Sequence, residues 1–307
     1  MLNNQYPITQ IQQIIGAKGD IVHEASISNL LTDSRKVNNP GISLFFALKD
    51  RRDGHEFIPD VYKAGVRNFV VSKAPAAGAM KDANFLLVTD VLKALQSLAA
   101  HHRAQFSYDV IGITGSNGKT IVKEWLYQLM CQDQKIVRNP KSFNSQLGVA
   151  LSVWQMEDIH TLGIFEAGIS TIGEMKRLEA MIKPTIGVLT HMGAAHNEGF
   201  ANTEQKLEEK LRLFKHCNLV VYKYDTLVTY KGDKPGKKQF TWSQDKAGAD
   251  LHVFSETIIA GKFYLRARYQ EKEIECLVPF VDEASVENAI TCWATLLALG
   301  YDPAMID

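Results

Sequence analysis

The chain has 307 residues, enough for two ordinary domains with a fragment of a third. Its composition is 46% hydrophobic and 22% charged, the balance of a globular protein with a sizeable core. The 34 basic and 34 acidic residues cancel, which excludes a bulk field for nucleic acid or an anionic membrane; any anion must be held by a local site. Cys131, Cys217, Cys276 and Cys292 are far apart and form no Cys-x-x-Cys pair, so they read as thiols in a reducing compartment, not as a disulfide frame or zinc site. The start, Met1-Leu2-Asn3-Asn4-Gln5, carries no signal-peptide pattern, and no apolar run reaches membrane-spanning length. A cytoplasmic location is expected.

In chain order, Ile8, Ile11, Ile14 and Ile15 recur at helical spacing, with Gly16 placed to end the helix. Apolar runs at 44–48, 69–71 and 85–88 read as strands, and Asp90 can cap a helix running to about 106. A new strand begins after Ser107-Tyr108-Asp109. The boundary is therefore set there, with an N-terminal α/β domain at 1–106 and a central domain at 107–307.

The central part alternates strands at 110–113, 162–165, 186–189 and 219–222 with helical stretches, which implies a mostly parallel sheet covered on both faces. After the turn-rich Lys231-Gly232-Asp233-Lys234-Pro235-Gly236 the pattern becomes strands alone, at 240–242, 251–258, 263–269 and 274–280. These form an added antiparallel β region, and a helix at 286–299 closes the chain. The fold class is α/β.

One segment carries specific chemistry. Ile113 and Thr114 end an apolar strand, and Gly115-Ser116-Asn117-Gly118-Lys119-Thr120 follows as a glycine-rich turn into a helix. Such a turn closes backbone N–H groups around phosphate oxygens. Its lysine neutralises the outer phosphates, and its threonine offers a hydroxyl to Mg²⁺. The usual P-loop has glycine where this chain has Ile113. A purely structural turn is the alternative. The Asn-Lys-x-Asp base-reading motif of GTPase switches is absent, and Asp245–Gly248 falls in a polar loop, so that class is disfavoured. Glu166 ends the strand at 162–165 and is placed to reach a metal beside the loop; a solvated strand-end carboxylate is the plain alternative.

Together these residues resemble the Mur ligase family. Thr114-Gly115-Ser116-Asn117-Gly118-Lys119-Thr120 is similar to its Thr-Gly-Thr-Asn-Gly-Lys-Thr signature. Glu166-Ala167-Gly168 is similar to the segment holding its Mg²⁺-binding glutamate. Thr190-His191-Met192-Gly193-Ala194-Ala195-His196 resembles the motif whose later histidine binds a second Mg²⁺, which assigns His196; His191 stands where relatives often have asparagine. The resemblance makes Lys210 the carbamylated lysine, an anionic oxygen ligand suited to hard Mg²⁺. Lys206, one turn earlier, is the rival. The resemblance makes Asn288 an adenine contact, while Ala284, Ser285 and Lys223-Tyr224-Asp225 depart from the family pattern.

The resemblance extends to the first domain, where Thr32-Asp33-Ser34-Arg35 and Asp53-Gly54-His55-Glu56-Phe57 look like the uridine-nucleotide domain of the later Mur ligases. It implies that Ser34 and Arg35 contact the UDP part of the substrate. Asn139-Pro140-Lys141-Ser142-Phe143-Asn144-Ser145 resembles a segment of the D-alanyl-D-alanine-adding members, with Ser145 replacing an asparagine, and assigns Asn144 and Ser145 to the same substrate. The implied activity is an ATP- and Mg²⁺-dependent amide ligase of peptidoglycan synthesis. It would join D-alanyl-D-alanine to UDP-N-acetylmuramoyl-tripeptide through an acyl phosphate. A diamino-acid-adding relative, a folylpolyglutamate-type ligase and a nucleotide-binding module without catalysis are the alternatives. The family also implies a third, C-terminal domain beginning where this sequence stops, so these 307 residues alone are expected to be inactive. Some relatives carry a fused downstream alanine racemase.

Overall fold

A computed structural model describes residues 5–49, 52–76, 78–193, 199–259 and 262–305. The chain divides into two compact units. One runs to Phe106 and takes in Val153–Asp158; the other comprises Ser107–Ser152 and Ile159–Asp307.

The first unit opens with β1 (Tyr6–Pro7) and α1 (Ile8–Ile15), followed by β2 (Ser26–Ile27), which pairs with β1. Ile8 and Ile11 are the buried stripe of α1, and Gly16 ends it at φ +62°, a left-handed cap that glycine adopts without strain. Then come β3 (Asn29–Leu31), β4 (Ser43–Phe46), α2 (Ile58–Lys63), β5 (Asn68–Val71), β6 (Asn84–Leu87) and α3 (Val91–Arg103). Strands β3–β4–β5–β6 form a parallel sheet in that order. Leu31, Phe45, Val61, Phe69 and Val71 make its core. Asp90 caps α3 as expected, its Oδ1 accepting from Lys93 N at 2.9 Å, but the helix stops at Arg103. There Arg103 Nη1 donates to the Phe106 carbonyl, at 2.7 Å.

Val153–Asp158 packs with this unit although the sequence placed it in the central domain. Trp154 Nε1 donates to Ser28 O at 2.9 Å, and His102 Nε2 to Met156 O at 3.0 Å. No periodic pattern announces such an excursion, because it is made by single side chains.

The second unit runs β7 (Asp109–Thr114), α4 (Lys119–Met130), β8 (Ile136–Arg138), α5 (Gln146–Val153), β9 (Leu162–Glu166), α6 (Glu174–Ile182), β10 (Ile186–Leu189), α7 (Thr203–Leu211) and β11 (Leu219–Lys223). It continues with β12 (Lys238–Ser243), β13 (Leu251–Ile259), β14 (Lys262–Tyr269), β15 (Lys272–Val278) and α8 (Glu283–Ala298). One nine-stranded sheet holds them, ordered β15-β14-β13-β12-β11-β10-β7-β9-β8. Val110, Ile111 and Ile113 are buried in succession, the mark of a strand covered on both faces.

Within this sheet, among the described residues, only β13, β14 and β15 pair antiparallel. The run at 240–242 is instead part of the last long parallel strand, β12, which then meets β13 through just Trp242↔Leu251 and Ser243↔His252. The short link is fastened by Asp250 Oδ2, which accepts from Thr241 N and Oγ1 at 2.7 and 2.8 Å. Val122, Leu126 and Met130 of α4 and Val286, Ile290, Trp293 and Leu297 of α8 recur at helical spacing and join the same core. Among the described residues, no helix is long and apolar enough to cross a membrane.

Candidate functional site

The central strand β7 feeds the glycine-rich turn directly into the N-terminus of α4, so the turn sits at the carboxyl end of a parallel sheet. Gly115 has φ +152° and Gly118 φ +84°. A Cβ at Gly115 would overlap Thr190 Oγ1, and one at Gly118 would overlap Asn288 Oδ1. Both positions therefore demand glycine. The turn is laced to the end of β10: Ser116 N donates to His191 O at 2.8 Å, and Thr190 Oγ1 donates to Asn117 O at 2.6 Å.

Three ammonium groups converge on this turn. Lys119 Nζ donates to Gly115 O and Ser116 O, both at 3.0 Å, and Lys210 Nζ donates to Gly115 O at 2.8 Å. Lys206 Nζ donates to Gly193 O at 3.0 Å, and the same carbonyl accepts from Ser116 Oγ at 3.0 Å. α7 thus buries both Lys206 and Lys210 toward the loop, one turn apart on one face.

Burial, and then the positive charges of Lys119 and Lys206, bring Lys210 down to about 7. Burial also lowers Lys119, opposed by Glu166, and lowers Lys206. Lys119 and Lys206, ammonium groups held by carbonyl oxygens, are electrostatically ready for a polyanion.

Glu166 lies at the end of β9, 0% exposed. Its backbone is clasped by Asn139: Glu166 N donates to Asn139 Oδ1 and Asn139 Nδ2 donates to Glu166 O, each at 3.0 Å. Its Oε1 accepts from Asn144 Nδ2 at 3.0 Å. Oε2 is buried with no hydrogen-bond partner among the described residues; Lys123 Nζ stands 4.0 Å away.

A carboxyl oxygen left without a bond in a buried setting fits a hard cation, and so does an oxygen donor such as the Thr120 hydroxyl, which lies 3.4 Å from Ser142 Oγ. Among the described residues no three His, Cys, Asp or Glu side chains gather as a metal cluster. His196 lies outside the described residues.

The remaining expected residues fall as follows. Ser34 and Arg35 are in the first unit, where Arg35 pairs with Asp33 through Nε–Oδ1 at 2.9 Å and Nη2–Oδ2 at 2.8 Å. Hydrogen bonds from Arg35 hold the Asp33 carboxyl down to about 2. Asn144 and Ser145 are in the second unit; Asn144 binds Glu166, and Ser145 Oγ accepts from Gly148 N at 3.2 Å at the start of α5. Asn288 is buried on α8 against Gly118.

Beside the turn opens a polar cleft of about 660 Å³, lined by His191, Met192, Lys223, Asp225, Thr226 and Glu287 among others. Glu287 accepts from His191 Nδ1 at 3.2 Å and faces Lys223 Nζ at 3.8 Å. The sequence alone did not single out Glu287, Asn139 or Lys123. The only available signal was that Lys123 follows Lys119 by one helical turn.

A family model described as the Mur ligase middle domain matches residues 113–296. The chain is 29% identical, over 95% of its length, to the UDP-N-acetylmuramoyl-tripeptide–D-alanyl-D-alanine ligase of Borreliella burgdorferi, and covers 66% of that protein. It is 35% identical over 84% of its length to the enzyme of the same name from Rickettsia prowazekii, covering 59% of it. The chain thus spans about two thirds or less of these relatives. The fold is similar to a crystal structure of MurF from Acinetobacter baumannii, with a TM-score of 0.83, 23% identity and coverage of 99% of this chain and 67% of that one.

Proposed function

The chain belongs to the Mur ligase family, and from that premise we propose that its full-length enzyme joins D-alanyl-D-alanine to UDP-N-acetylmuramoyl-tripeptide with cleavage of ATP. The observation that carries this is the convergence of Lys119, Lys206 and Lys210 on the glycine turn, beside a buried Glu166 with one oxygen unbonded. Relatives of that name at 29% and 35% identity support the choice of substrates.

The triphosphate lies along the turn, where the N–H groups at the start of α4 and the Lys119 ammonium bind its outer oxygens. The adjoining polar cleft takes the nucleoside, with Asn288 near the base. Ser34 and Arg35 bind the UDP part of the other substrate, and the 139–145 loop, including Asn144 and Ser145, meets its muramoyl-peptide part.

Glu166, Thr120, His196 and Lys210 in its carbamylated form are the residues that would hold Mg²⁺. The ion would screen the repulsion between a carboxylate and a triphosphate, which electrostatic positioning must overcome in phosphoryl transfer. A peptide carboxylate oxygen takes the γ-phosphoryl group, releasing ADP and giving an acyl phosphate. The amine of D-alanyl-D-alanine then attacks the acyl carbon, loses a proton, and inorganic phosphate leaves. Four cysteines, none of them in a disulfide among the described residues, fit a reducing cytoplasmic setting for this chemistry.

The test is phosphate release by the full-length enzyme with Mg²⁺-ATP and three substrate pairs: UDP-muramoyl-tripeptide with D-alanyl-D-alanine, UDP-muramoyl-dipeptide with a diamino acid, and a folate with glutamate. Release confined to the first pair is expected. Preference for either other pair assigns the enzyme to a different branch, and release with none makes it a binding module.

A further inference from the structure

Lys123 is 0% exposed. It stands one turn beyond Lys119 on α4, so both ammonium groups project from one face of the helix. A buried charge persists only where hydrogen bonds or countercharges replace water. Here Nζ donates to Asn139 O at 2.6 Å and to the Lys141 carbonyl, with Glu124 Oε1 at 3.2 Å and Glu166 Oε2 at 4.0 Å.

Both carbonyls belong to the 139–145 loop, and the loop is under constraint. Lys141 has φ +50°, a left-handed conformation that a non-glycine residue keeps only where its surroundings enforce it. Within the loop, Asn139 Nδ2 also bonds Phe143 O at 2.9 Å, and Asn144 N bonds Ser142 O at 2.8 Å.

Gripping the Lys141 carbonyl has a geometric consequence. In a planar trans peptide the N–H points opposite to the C=O, so the Ser142 N–H is turned away from the buried ammonium. Ser142 itself is exposed. The loop therefore presents a backbone donor outward while its carbonyls are held inward.

The geometry points to Lys123 as a positioning residue, a buried cationic pin that sets the conformation of the 139–145 loop and through it the seat of the acyl substrate, not of the nucleotide. This rests on the reading above that the loop meets the muramoyl-peptide. An apolar residue of equal volume would fill the space beneath α4 at lower desolvation cost, but it would release both carbonyls.

Lys123→Met, similar in length and without donors, and Lys123→Gln, with a single amide donor, test this in the full-length enzyme. Hydrogen exchange requires no substrate. In Lys123→Met, amides 141–144 should exchange about tenfold faster, while the α4 amides keep their protection. Steady-state kinetics then read the split between substrates. At saturating Mg²⁺, which offsets any disturbance of Glu166 by the freed loop, KM for UDP-muramoyl-tripeptide should rise about tenfold, KM for ATP should move less than about twofold, and the Gln variant should fall between.

Unchanged exchange in the loop overturns the pin. So does an equal rise of both KM values, or a fall in kcat with both KM values constant, the signature of less folded enzyme. If the wild type does not use the UDP substrate, the functional reading fails while the exchange result still decides Lys123. If circular dichroism finds both variants unfolded, Lys123 is a core-stability residue and the pin is refuted.

Discussion

Asn144 and Glu166 are joined by a hydrogen bond of 3.0 Å from Nδ2 to Oε1, which fixes the carboxylate so that Oε2 is the oxygen left open. Residues that orient a metal ligand in this way typically contribute about 10–100-fold to metal affinity or activity. Asn144→Leu should therefore weaken Mg²⁺ by about that factor, measured as the Mg²⁺ concentration needed for half-maximal turnover. Normal Mg²⁺ dependence with lost affinity for the UDP substrate would assign Asn144 to the substrate alone.

Gly118 combines φ +84° with a side chain, Asn288, occupying the place of its missing Cβ. Gly118→Ala should reduce ATP affinity at least about tenfold, since both backbone strain and the overlap act on the proposed phosphate loop. Adding Asn288→Ala should recover part of the loss, because it removes the overlap and leaves the strain. Calorimetric titration checks both. Wild-type affinity in the single variant would contradict the loop assignment.

Lys210, brought down to about 7 by burial and by its cationic neighbours, is far more often a free amine at neutral pH than an ordinary lysine. Only the free amine reacts with CO₂, so carbamate should decline as pH falls through 7 and protonates it. Labelled bicarbonate should give a carbamate carbon signal in the wild type and in Lys206→Ala, and none in Lys210→Ala. Acetate should restore part of the activity of Lys210→Ala. A signal lost in Lys206→Ala and kept in Lys210→Ala would reverse the assignment.

In the first unit, His102 accepts from Tyr6 at Nδ1, 2.9 Å, and donates to Met156 O from Nε2. A carbonyl can only accept, so the buried ring is the neutral Nε2–H form. Burial lowers its pKa from 6.5 to about 4. The unfolded chain then binds the extra proton between those values, so stability is full above about pH 6.5 and falls as pH drops toward 4. At pH 5 the loss should be about 2 kcal/mol. Urea denaturation at pH 7 and pH 5 measures it, and His102→Gln should flatten the difference. An equal pH dependence in the variant would remove His102 as its source.

The alternation of apolar strands with helices, and the contiguous run from Ile113 to Thr120, were enough to read a parallel α/β unit with a glycine turn between a central strand and a helix. Both are local, since backbone periodicity and a glycine turn are written in consecutive residues. Lys119, Glu166 and Lys210 were proposed for a related reason, since each follows a strand end or a motif at short range, and the structure brings Lys119 and Lys210 to the same Gly115 carbonyl. What the sequence did not disclose lies in contacts between distant segments. Val153–Asp158 joins the first unit through Trp154 and His102. Asn144, assigned to substrate, binds Glu166 from 22 residues away. Lys123 reads as one more charge on a helix until its carbonyl partners are seen. A buried charge is permitted only by the groups that replace its water, and packing alone decides which groups those are.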